Sequence, residues 1–143
     1  MLNWSKFTSG VFLVNVLAII YDPVAKKVLI GKRENDPHMV NLNWCFPGGM
    51  PEYKEDLEYY LKHQVKLKTN LEIAVKKIVF AKTYPERRDF LSIYYYCENL
   101  DGIEKAGELF TEIKWVNPVE VIKYFKFSTS IHPKIAEFLL SLE

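Results

Sequence analysis

The stretch WCFPGGMPEYKED, from Trp44 to Asp56, constrains this chain more than any other. A short strand-like run breaks at Pro47 and a double glycine, then restarts as an acidic opening to a helix. Paired glycines accept backbone torsions and close approaches that other residues refuse. The helix start just beyond them leaves N–H groups free to meet phosphate or metal-bound phosphate. Asp56 carries the short acceptor that caps such a start, and the spacing predicts a helix from Leu57 to about Thr69. Asn70 then suits the left-handed residue that ends many helices.

The rest of the chain reads as strands with a few helices. VFLVNVLAIIY, residues 11–21, is a near-continuous apolar run broken only by Asn15, which predicts a central strand covered on both faces. The same run is too short to span a bilayer. DPVAKK makes a turn and VLIGKRE pairs back as a hairpin. NDPHMVNLN, residues 35–43, is a loop leading into the short strand WCF. Two long strands, 72–83 and 90–98, flank the turn YPERRD, and another strand covers about 109–116. NPVEVIKYF follows as a short helix. Ser128, Thr129 and Ser130 open a last amphipathic helix over about 131–142, with Pro133 tolerable in its first turn. The expectation is a single α+β domain over residues 1–143, its sheet mostly antiparallel with helices on two sides.

Composition excludes some functions. The net charge is +1 and 26% of the 143 residues are charged, so the basic excess of an electrostatic nucleic-acid binder is missing. Cys45 and Cys97 are too few for a disulfide framework or a zinc site, which favours a reduced, cytoplasmic setting. The opening MLNWSKFTSG lacks the pattern of a signal peptide. A soluble intracellular domain is therefore expected, with no membrane partner. Aromatic residues make up 15% of the chain, most of them core and some available to stack on a base.

At roughly 100° per residue, Leu57, Tyr60, Leu61, Val65 and Leu67 form one broad apolar face of the helix. Glu55, Tyr59, Lys62 and Lys66 lie opposite. Gln64 and Lys68, spaced i, i+4, fall in the middle of the apolar arc. A polar group on an inward face is more informative than an exposed apolar one. Two readings of this pair stay open: Lys68 snorkels out at the helix end while Gln64 caps a strand, or both face a site.

These features together resemble the Nudix (MutT-like) hydrolase family. Its signature runs Gly, five residues, Glu, then after seven more Arg-Glu-aliphatic-any-Glu-Glu-any-Gly-aliphatic, as a loop-helix-loop. With Gly49 first, Glu55 takes the first acidic position, and Val65 and Leu71 the two aliphatic ones. VLIGKRE before the loop, W-x-F-P-G-G, and TEIKWVNPVEV as closing strand and helix agree. The likeness extends from about Val11 to Leu140 and implies an α/β/α sandwich with a mixed sheet.

In the family, the Arg-Glu and Glu-Glu positions supply carboxylates that bind magnesium and activate water. Here His63 replaces the Arg, Gln64 the first Glu, Leu67 and Lys68 the pair, and Asn70 the Gly, while Lys54 stands where Gly commonly precedes Glu55. A hard cation wants carboxylate oxygens; Gln64 offers one neutral carbonyl, Leu67 nothing, and Lys68 repels the ion. Hydrolysis by the usual constellation is not expected.

Three readings follow from the resemblance. The first is a metal-free binder of a nucleoside diphosphate derivative: Lys68 is a fixed cation, Gly48, Gly49 and Glu52 belong to the pocket, and Arg33 and the pair Arg87–Arg88, Arg88 foremost, add phosphate contacts. The second is a divergent hydrolase of nucleoside diphosphates linked to another moiety, such as a sugar. Magnesium would then sit among the Gly48 carbonyl, Glu52, Glu55 and Glu112, and His63 is discounted as a base because the wheel puts it off the pocket line. The third is an interaction module without ligand. There Tyr94 and Tyr96, on one sheet face with Tyr95 on the other, would serve a homodimer or partner surface, although sheet packing is the blander account of the row.

Overall fold

The computed structural model describes residues 1–6, 10–34, 43–125 and 131–143. β1 (Leu13–Asp22) is the central strand that its apolar run predicts. It pairs antiparallel with β2 (Lys27–Arg33) and parallel with β6 (Arg87–Asp101). β5 (Glu72–Tyr84) lies antiparallel beyond β6, and β3 (Trp44–Cys45) beyond β2. The short β4 (Gly48–Gly49) also pairs with β1, and β7 (Phe110–Val116) with β2. The mixed sheet of the expected α+β fold is thus present, with one parallel pairing in it.

Strand alternation decides which helix each residue meets. Val16, Ala18 and Ile20 of β1 point to one face and pack with Leu61 and Val65 of α1 (Leu57–Thr69). Ile19 and Tyr21 point to the other, against Val121 and Phe125 of α2 (Val121–Phe125) and Ile135 and Leu139 of α3 (Pro133–Ser141). The tyrosine row divides as expected. Tyr95 joins the α1 side, while Tyr94 packs edge-on to Phe46 and Tyr96 edge-on to Phe138 of α3. Sheet packing therefore accounts for Tyr94 and Tyr96.

Local signals set the element ends. The Asp22 carboxylate accepts from the N–H groups of Val24 and Ala25 at 2.9 and 3.1 Å, closing the β1–β2 turn. The Asp56 side chain accepts from the Tyr59 N–H at 2.9 Å and starts α1. Asn70 ends it in a left-handed conformation, φ 66°.

Four details differ from the sequence reading. The β5–β6 hairpin is tighter, because Tyr84 pairs with Arg87 and leaves only Pro85 and Glu86 as the turn. The helix after β7 begins as a 3-10 turn over Pro118–Glu120. α3 is shorter than expected and is capped by His132, whose Nδ1 accepts from the Lys134 N–H at 3.1 Å. The apolar arc of α1 is narrower as well: Leu61, Val65 and Lys68 form its buried line, and Leu57 and Leu67 are 36% and 43% exposed. Leu67 is one residue, about 100° of helix, away from that line. The Ser128–Ser130 opening and the loop 35–42 lie outside the described residues.

Gly48 sits against β1 so closely that an added Cβ would stand 2.0 Å from the Val16 carbonyl oxygen. Replacement Gly48→Ala is expected to destabilise the fold by about 3 kcal/mol through overpacking. Urea unfolding checks this: a midpoint unchanged from wild type contradicts the close approach.

Candidate functional site

The site is built where β4 meets α1. Pairing of Gly48 with Leu17 and of Gly49 with Val16 holds the double glycine flat against the central strand. Gly49 turns toward α1, and a Cβ there would stand 2.5 Å from the Tyr60 hydroxyl oxygen. The Gly48 carbonyl accepts a hydrogen bond from the Lys68 ammonium. Lys68 is only 6% exposed, so the snorkelling reading fails: its side chain runs inward. The last turn of a helix favours a cation. The backbone there is fixed by the segment after β6, where the N–H groups of Lys105 and Gly107 donate to the Thr69 and Lys68 carbonyls at 2.9 and 3.0 Å. Those bonds occupy carbonyls that a helix end otherwise leaves open.

Two cavities adjoin this contact. The larger, about 780 Å³, is walled by sheet and C-terminal residues, including Phe46, Tyr94 and Phe125. Its charged lining comprises Arg33, Lys68, Arg87, Glu86 and Glu108. The smaller, about 280 Å³, is lined by Glu52, Lys54, Glu55 and His63. Met50, Tyr60 and Gln64 line both. Burial pushes the Tyr60 phenol up, and the negative charges of Glu52, Glu55 and Glu108 add to the rise. Tyr60 therefore keeps its proton and stands as a neutral donor where the cavities meet.

The expected site residues separate on this geometry. Arg33, Gly48, Gly49, Gln64 and Lys68 line the larger cavity together. Glu52 and Glu55 line the smaller one, where Lys54 and His63 approach them at 3.8 Å each. His63 was placed off the pocket by the helix wheel, yet it lines this cavity because the turn carrying Glu55 folds back toward it. Leu67 is exposed. Arg88 reaches Thr83 at 3.4 Å and lines neither cavity, whereas Arg87, paired to Asp89 at 2.8 Å, lines the larger. Glu112 is exposed on β7, in register with Lys32, and lines neither.

A divalent metal does not fit these donors. Magnesium needs a near-octahedral set of oxygens. Among the described residues no group of three His, Cys, Asp or Glu side chains is placed to hold an ion. The Gly48 carbonyl, the backbone oxygen expected to join such a set, already accepts from an ammonium. The set expected from Gly48, Glu52, Glu55 and Glu112 is not assembled.

Sequence reasoning missed Asn15, Tyr94, Glu108, Phe125 and His132 as lining residues. Asn15 left a signal, as the one polar break in the apolar run. The others left none, because their convergence depends on how distant segments pack.

A flat strand pair on a double glycine, a capped helix behind it and a mixed sheet between helices define the α+β fold of this chain. The chain belongs to the NUDIX family, whose domain model matches residues 11–138. Solved structures agree on the fold. A NUDIX hydrolase from Nitrosomonas europaea matches with a TM-score of 0.75 at 18% identity, over 92% of this chain and 72% of its own. MutT protein from Methanosarcina mazei matches at 0.68 and 16% identity, over 92% and 93%. An ADP-ribose pyrophosphatase from Streptococcus suis matches at 0.62 and 15% identity, over 91% and 88%. No curated protein matches the chain.

The two thiols differ in a way that reports on the larger cavity. Cys45 is half-buried in its lining, whereas Cys97 is fully buried and burial, with Glu58, pushes its thiol up to about 12. Native protein at pH 8 is expected to take up iodoacetamide at Cys45 alone, since Cys97 stays a protonated thiol. Peptide mass mapping that finds Cys97 alkylated before unfolding contradicts this placement.

Proposed function

We propose that this chain binds a nucleoside diphosphate derivative without a metal and with little or no hydrolysis. The observation that carries the reading is the inward Lys68 ammonium at the Gly48 carbonyl. In this reading the box has lost its metal-binding glutamates, at Gln64, Leu67 and Lys68, and a fixed ammonium stands in for the ion as a point charge toward diphosphate. Arg33 and Arg87 add positive charge to the same lining. A cavity of about 780 Å³, lined by aromatic rings together with charged and amide side chains, falls within the usual size range for a small-molecule site. The aromatic walls suit a base and the cations suit phosphate oxygens.

The Streptococcus suis relative is named for ADP-ribose, a compound of the class proposed here. Free thiols fit a reduced, cytoplasmic setting. No helix among the described residues is long and apolar enough to cross a membrane.

One observation favours a second reading. Glu52, Glu55, His63 and Gln64 share the smaller cavity, which a divergent magnesium-dependent hydrolase of nucleoside diphosphates linked to another moiety would use. Phosphorus NMR on a mixture of nucleoside triphosphates, nucleotide sugars and ADP-ribose separates the two. Selective broadening without magnesium, lost in Lys68→Met and without product, is the expected result. New monophosphate resonances that require magnesium and vanish when Glu52 and Glu55 are both alanine establish the hydrolase instead.

The same substitution logic predicts a gain. Changing Gln64→Glu together with Lys68→Glu is expected to raise the melting temperature in millimolar magnesium, while wild type stays unmoved. At a hundredfold excess of ion over its dissociation constant the gain is about 2.7 kcal/mol. A wild-type protein that is itself stabilised by magnesium contradicts the metal-free reading.

A further inference from the structure

Asn15 is an anomaly of the central strand. Asparagine is depleted in strands, and every neighbour from Phe12 to Ile20 is apolar. On β1 it shares a face with Leu17, the face that carries Ile19 and Tyr21 toward α2 and α3. It pairs in register with Ser92 of β6, and Leu17 with Tyr94. Ser92 is fully buried, and its hydroxyl is matched by the Tyr84 hydroxyl at 2.8 Å. The polar groups next to Asn15 thus satisfy one another.

The Asn15 side-chain amide makes no hydrogen bond to the described residues. It is half-buried and lines the larger cavity beside Leu17, Tyr94 and Phe46. A group that satisfies nothing among the described residues brings no return in stability from them at a position where any β-branched residue would pack. Its planar amide offers a donor and an acceptor side by side, into a cavity that also carries the aromatic faces of Phe46 and Tyr94. That pair of groups matches the donor–acceptor edge of a nucleobase, as amide side chains do elsewhere.

Resting on the binding reading above, we infer that Asn15 reads the hydrogen-bonding edge of the ligand's base and is the specificity-determining residue of the larger cavity. Lys68, Arg33 and Arg87 meet phosphate charge, which every nucleotide shares, so charge alone cannot choose a base. Phe46 and Tyr94 supply faces on which any base can stack. The Asn15 amide presents a donor and an acceptor side by side on the central strand, next to those faces, whereas Gln64, the other amide of the lining, lies on α1 against the Gly48–Gly49 turn.

The test uses the full chain, without metal, and five probes: ADP, GDP, CDP, UDP and inorganic pyrophosphate. Calorimetry gives the affinities, and nitrogen–proton NMR follows the Asn15 side-chain NH₂ pair, assigned by its absence in Asn15→Leu. One or two nucleotides are expected to shift that pair and to bind about tenfold or more tighter than pyrophosphate. In Asn15→Leu this preference should collapse, with pyrophosphate affinity unchanged. In the isosteric Asn15→Asp, which exchanges the donor for an acceptor, the order of preference should change; this variant decides the matter if Asn15→Leu fails to fold.

Pyrophosphate binding with four nucleotides bound alike, or a base preference that survives both substitutions, overturns the role of Asn15 and leaves the diphosphate reading standing. If neither pyrophosphate nor any nucleotide binds wild type, the diphosphate reading falls and the role of Asn15 falls with it.

Discussion

The approach of Gly48 to β1 sets the rest of the site. With no Cβ, the backbone of β4 lies directly against Val16 and Leu17, and the Gly48 carbonyl faces the last turn of α1. At any greater separation the Lys68 ammonium would miss that carbonyl and lose one of the contacts that offset the burial of its charge. The glycine, the carbonyl and the ammonium therefore act as one unit. They fix α1 against the sheet, and the two cavities open beside this joint.

Charged groups lie on both sides of that joint. Glu52 and Glu55 fall in the smaller cavity, each close to a basic side chain, while Arg33, Lys68 and Arg87 share the larger with Glu86 and Glu108. Tyr60 stands between them with its proton retained, held by burial and by carboxylates around it. Among the described residues no set of three acidic or imidazole ligands is placed to hold a divalent ion.

Most of the fold was legible because it rests on local or periodic signals. The apolar run of β1, the Asp56 cap and Asn70 each act through near neighbours, and each falls where the sequence puts it. The α1 wheel sets Gln64 and Lys68 inward, where both line the larger cavity, but it also sets Leu57 and Leu67 inward, and both are exposed. An ideal wheel treats a helix as a cylinder facing a plane, whereas the folded-back turn at Glu52–Glu55 and the segment 102–109 give α1 neighbours on further sides. The lining of the larger cavity was mostly illegible. Phe125 and His132 reach it through chain packing over long sequence separations, and no short motif records that convergence. Of the pair Arg87–Arg88, Arg87 lines the larger cavity and Arg88 does not, because alternation sends neighbouring strand residues to opposite faces and the tight Pro85–Glu86 turn sets which one faces inward.

An ammonium and a metal ion differ in what they do to a diphosphate once it is bound. Both offset its charge, but a divalent cation also draws electron density from phosphorus–oxygen bonds and acidifies a coordinated water. An ammonium donates hydrogen bonds and does neither. Replacing one with the other at a preserved turn therefore separates holding from cutting: the loop geometry and the charge complement survive, and the source of the nucleophile is lost. On the proposed reading, discrimination among ligands then rests on contacts away from the reacting bond. Asn15, a polar side chain in the middle of an apolar strand and in the lining of the larger cavity, is placed to make one.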